Sequence, residues 1–166
     1  MPSIKKITAV VLSALVLCGV FVSCGDETDE ISMYDLNQAL VEFTGHPDEM
    51  KYASSSDNHP EDLLAHVSNI DYGKVKAFFI TYASNGTGNA DEIVAIQVKK
   101  KSDLNEAASS LRIHLDTRKT LYATYDKTQI PKLEKARILT RDKLAILMVS
   151  DDVEKMEAAF YRFFNK

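Results

Sequence analysis

His59, Asp62 and His66 stand at i, i+3 and i+7. That spacing puts two imidazoles and a carboxylate on one helical face, and so offers a metal three ligands, if a helix begins at His59. Pro60 argues against that start, because proline suits the first turn of a helix and leaves His59 just outside it. The simpler expectation is a solvated helix face that contains histidines. His114 and Arg118 form a second pair, four residues apart in a long helical pattern. Arg118 falls between Leu115 and Tyr122, near the apolar stripe. Most arginines so placed lay their stems on the core and keep the guanidinium in water; ligand binding is the sharper alternative.

Other constellations lead to blander chemistry. Asn85-Gly86-Thr87-Gly88-Asn89 has the look of a phosphate-cradling loop, but a strand follows it where a helix N-terminus is needed, and no lysine is placed to reach a phosphate. A flexible hairpin loop is expected there. No serine sits in a nucleophile-elbow pattern. The adjacent carboxylates Glu61 with Asp62 and Asp151 with Asp152 fit helix starts, where the dipole favours negative charge. The sequence implies no catalytic residue and no cofactor.

Both cysteines lie near the N-terminus, in Leu15-Val16-Leu17-Cys18-Gly19-Val20-Phe21-Val22-Ser23-Cys24-Gly25. Lys5 and Lys6 precede an uncharged run from Ile7 to Val22. A basic start followed by an apolar stretch is the layout of a secretory signal, and the run is shorter than the ~20 residues that span a bilayer as a helix. Small Ser23 directly before Cys24 resembles a bacterial lipobox, with Phe21 where leucine is commonest. In that reading Cys24 carries a diacylglyceryl thioether and residues 1–23 are removed, taking Cys18 with them. The mature chain then has no free thiol, which excludes cysteine catalysis, cysteine-ligated zinc and disulfides together. An uncleaved signal anchor is the alternative. The expected place is the extracytoplasmic face of the cell membrane, with residues 24–31 an acidic tether and 32–166 a single domain.

Charge is unevenly spread. Residues 24–98 carry a net −11 and residues 99–143 a net +6. Lys99, Lys100 and Lys101, with Lys132, Lys135, Arg137, Arg141 and Lys143, are candidates for a basic surface that meets anionic head groups or wall polymers. Solvated, scattered charges, or neutralisation by the acidic half, are the simpler account. Nucleic acid is not an expected partner of a chain with this location and net charge.

The elements that must hold these side chains follow from periodicity. Met33, Leu36, Leu40 and Phe43 mark a first helix capped by Ser32, and Leu63, Leu64 and Val67 mark a short one after Pro60. Polar, serine-rich 47–57 reads as a mobile loop. Val75–Ala83 and Glu92–Lys99 read as a hairpin, 102–125 as the longest helix with Ser102 as its cap, and Ala136–Thr140 with Leu144–Val149 as a second hairpin turning at Arg141-Asp142-Lys143. Ser150 then caps a last helix whose inner face holds Val153, Met156 and Phe160. The order β-β-α-β-β-α predicts an α+β fold, a four-stranded antiparallel sheet with helices packed mainly on one face, preceded by one or two short helices. The unalternating run Leu144–Val149 predicts a strand buried on both sides.

From about Met33 onward the chain resembles an uncharacterised family of lipoproteins, mostly of Gram-positive anaerobes, built on domain of unknown function four-three-five-eight. The likeness is carried by Asp91-Glu92-Ile93-Val94-Ala95-Ile96, by Tyr122 to Ile130, and by Lys132-Leu133-Glu134-Lys135-Ala136 through Lys143 to Asp151. It implies a lipoprotein with a small α+β domain and brings no activity, ligand or catalytic residue. The functional expectation is a membrane-anchored, non-catalytic domain that binds an envelope protein or anionic polymer; the alternative is a small enzyme acting on an envelope polymer.

Overall fold

Ser32 accepts a hydrogen bond from the Asp35 amide at 3.2 Å and so starts helix α1, Met33–Val41, as its position predicts. The computed structural model describes residues 31–84 and 88–165, so the expected signal segment and Cys24 lie outside the described residues. After α1 come β1 (Met50–Ser54), α2 (Pro60–Ala65), β2 (Val75–Ala83), β3 (Glu92–Val98), α3 (Leu104–Tyr125), α4 (Ile130–Lys135), β4 (Arg137–Arg141), β5 (Leu144–Val149) and α5 (Val153–Phe164), with short 3-10 turns between several of them. Residues 31–166 form one compact unit. No described helix is long and apolar enough to cross a membrane.

The fold is α+β, with β-β-α-β-β-α following the first helices, but among the described residues the sheet has five strands instead of the expected four. Their order is β1-β2-β3-β5-β4, antiparallel throughout. The extra strand is β1, inside the stretch expected to be a loop. It is an edge strand, so half its backbone and outward side chains face water, and its polar composition hides it. Tyr52 holds it in place by stacking on Phe79 of β2, ring centroids 5.9 Å apart.

The helices pack on both faces of the sheet, which corrects the one-face arrangement. Side chains alternate along each strand. Phe78, Ile80, Val94, Ile96, Ala145 and Leu147 point to a core roofed by α2, α3 and α4. Phe79, Ile93, Ala95, Ile146 and Met148 point to a second core roofed by α1 and α5. The reason is in β3 and β5, every residue of which is buried. A strand apolar on both sides needs cover on both sides.

Two helix starts also differ from expectation. Ser102 lies in the 3-10 turn before α3 and gives the helix no cap bond. Ser150 stands two residues before the N-cap, Asp152: its hydroxyl accepts from the Asp152 amide at 3.1 Å and donates to the Phe43 carbonyl, tying the start of α5 to the end of α1. Asp142 supplies the turn between β4 and β5 with φ 52°.

Candidate functional site

Two consecutive acids open β3 and go to different partners. Alternation sends Glu92 to the same face as Val94 and Ile96, under α3. There His114 and Arg118, one helical turn apart, deliver their heads to one oxygen. His114 Nε2 lies 2.9 Å and Arg118 Nη1 2.8 Å from Glu92 Oε2. The three side chains are 14%, 14% and 7% exposed, so this is an ion pair held largely out of water. Burial pushes the Glu92 carboxyl up, but the Arg118 charge and the His114 hydrogen bond outweigh it and hold it below the usual carboxylate range. Arg118 also lies over the Tyr122 ring, 5.4 Å from its centroid. Tyr122 donates its hydroxyl proton to the Asn89 carbonyl at 3.2 Å, which fixes the ring.

Asp91 is wholly buried at the sheet end. Its Oδ2 accepts from the Gly45 amide at 2.8 Å and from Asn89 Nδ2 at 3.2 Å, while Lys132 Nζ stands 2.7 Å from Oδ1 as an ion-pair partner. Lys132 also donates to Asn89 Oδ1 at 2.9 Å and lies 3.2 Å from exposed Asp151. This cluster ties together the turn after α1, the segment entering β3, and α4. Gly45 suits the close approach, since a Cβ there would crowd Asp91 Oδ2 at 3.3 Å.

The Glu92 group borders a cavity of about 410 Å³ between the sheet, α2 and α3. One wall is apolar, from Ala53, Leu63, Val67 and Ile80; the other end is polar, from Asn89, Glu92, His114 and Arg118. A second cavity of about 450 Å³ shares Asn89 and Asp91 and is lined further by His46, Glu49, Lys132 and Asp151. An apolar wall with a few fixed polar groups at one end is the usual make-up of a small-molecule site.

The metal candidates do not converge. His59 precedes α2 with a left-handed φ of 51°, Asp62 is exposed in its first turn, and His66 caps its far end and borders the 410 Å³ cavity. Among the described residues no three His, Cys, Asp or Glu side chains gather as a metal cage. The basic residues divide between the two ends of the sheet. Lys99, Lys100 and Lys101 follow β3, and the Val98 amide donates to the Lys143 carbonyl, so Arg141 and Lys143 share that end. Lys132, Lys135 and Arg137 lie at the other, where β4 begins opposite Met148. Lys132 is spent on Asp91 and Asp151, and Arg137 lies 3.3 Å from Glu157.

Residues 54–150, more than half the chain, match the family model of a domain of unknown function, DUF4358. The chain belongs to this family. No curated protein and no solved structure matches it. The DUF4358 segment holds the whole core under α2, α3 and α4, and every residue bordering the 410 Å³ cavity except Ala53. Helices α1 and α5, which roof the opposite core, lie outside it. The site is thus built from the matched segment.

Glu92 was not singled out by sequence reasoning, although its partners were. The signal is an acid at the head of a largely apolar strand, in phase with Val94, Ile96 and Val98. A charge on a buried face needs a counter-charge, and Arg118 near an apolar stripe is its match.

Proposed function

We propose that this DUF4358 chain is a lipid-anchored extracytoplasmic protein, held at the cell membrane through Cys24, whose domain is a non-catalytic binding module. The observation that carries the binding reading is the cavity of about 410 Å³, with an apolar wall and the Glu92, His114 and Arg118 group at its polar end. The anchor reading is supported by the basic start, the short apolar run and the small residue before Cys24. An anchor concentrates the domain near envelope partners without any new contact.

An enzyme acting on an envelope polymer is less well supported. The described residues around the cavity include no serine, threonine or cysteine to act as a nucleophile. Glu92, held below the usual carboxylate range by two donors, is a weak base and is not protonated to serve as an acid near neutrality.

Cys24→Ser is expected to move the protein from the membrane to the soluble fraction and to abolish labelling by radioactive fatty acid. Continued membrane retention points instead to an uncleaved anchor. The basic end of the sheet, with exposed Lys100 and Lys101, is the proposed contact for anionic head groups or wall polymers. Residues 31–166 are expected to bind vesicles of anionic lipid at low salt and to release them at 0.5 M salt, roughly where screening falls to a few ångströms. No sedimentation with vesicles at low salt removes that surface from consideration.

A further inference from the structure

We infer that the cavity beside Glu92 takes a neutral amphipathic molecule whose head group donates a hydrogen bond, a hydroxyl or an amide, to Glu92 Oε1. This rests on the cavity being a binding site, as proposed above. Both hydrogen-bond partners of Glu92, His114 Nε2 and Arg118 Nη1, converge on Oε2. Among the described residues Oε1 has no hydrogen-bond partner, yet it is not sealed in the core as an orphan. Its residue is 5% exposed and borders the cavity. An ionised carboxylate oxygen with free lone pairs, in a largely dry site, is an acceptor waiting for a donor.

Charge then selects among donors. Glu92 and Arg118 already neutralise each other at 2.8 Å, so a charged head group gains little net attraction and still loses its hydration. A carboxylate additionally meets Oε1 at close range and is repelled by its like charge. A neutral donor meets neither cost. The apolar wall of Ala53, Leu63, Val67 and Ile80 accounts for the rest of the ligand, an alkyl or other apolar body.

The test uses residues 31–166, which contain both cores, and four short alkyl probes: 1-hexanol, its methyl ether, hexanoate and hexylammonium. Each is titrated at pH 7.5 and followed by amide chemical shifts of Ala53, Glu92 and His114. Hexanol is expected to bind about tenfold more tightly than the ether, which accepts but cannot donate, since a hydrogen bond to a charged acceptor is stronger than one between neutral groups. It is expected to exceed both ions by at least as much. Ala53→Leu, which adds bulk to a residue lining the cavity, should weaken hexanol binding while the remaining spectrum stays folded. Equal binding of alcohol and ether, or tighter binding of either ion, overturns the head-group assignment and leaves the cavity reading standing. Binding unchanged by Ala53→Leu places the alcohol elsewhere and overturns it too. If none of the four shifts these amides, the cavity reading itself fails.

Discussion

Arg118→Leu is expected to lower the unfolding free energy at pH 7 by about 3 kcal/mol, the lower end of what breaking a buried ion pair costs. The loss comes from Glu92 more than from Arg118. Its side chain is 7% exposed, and with the guanidinium gone only His114 opposes burial. Removing both partners of such a pair costs less than removing one, so Glu92→Gln with Arg118→Leu should recover much of the deficit.

The pH dependence carries the sign of this argument. In the native protein the Glu92 carboxyl is held below its unfolded value near ~4.3. Its stabilising contribution is therefore fully present above that value and is lost as pH falls through the lower folded one. In Arg118→Leu the strongest opposing charge is gone and the folded value rises, so the variant loses this contribution at neutral pH and the loss fades on acidification. Urea unfolding at pH 7 and at pH 4 should show the gap between wild type and variant narrowing on acidification. A gap under about 1 kcal/mol at pH 7, the range of an exposed pair, would mean that water screens this one.

The sequence conveyed the elements better than their layers. Leu144–Val149 was legible as a doubly buried strand because six apolar residues in a row leave no solvent face, and β5 is buried throughout. The same property carries the need for a second layer of helices, and Val153, Met156 and Phe160 on the last helix are legible as an inner face. What a single helix pattern does not encode is which side of the sheet it meets; that depends on the path of the connecting turns. Strand β1 was hidden for another reason. Its five residues, Met50-Lys51-Tyr52-Ala53-Ser54, lie between polar, turn-forming segments, and their pairing with β2 depends on residues far along the chain. At the site, His114 and Arg118 were visible as a helical pair, but their joint partner lies 22 residues before His114 on another element. The grouping of basic residues failed as a guide to proximity for the same reason: chain neighbours at β4 and β5 sit at opposite ends of the strands that separate them.

Phe160→Ala should destabilise the domain by about 4 kcal/mol, within the range for removing a large aromatic from a packed core. Phe160 is fully buried between α5, α1 and the sheet, and its ring meets Phe164 edge-on with centroids 5.0 Å apart. Were the helices confined to one face, α5 would share a core with α3, and deletions on the two helices would interact. Leu111 of α3, also fully buried, belongs to the opposite core, with the sheet between it and Phe160. Leu111→Ala is expected to cost about 3 kcal/mol and to add to Phe160→Ala within about 0.5 kcal/mol, as distant sites without shared partners do. Coupling above about 1 kcal/mol in the double-mutant cycle would contradict two cores separated by a sheet. Additive losses would also explain why α1 and α5 must accompany the DUF4358 segment. Without them Phe79, Ile93, Ile146 and Met148 face water, on the same strands whose other side supports the cavity at Glu92.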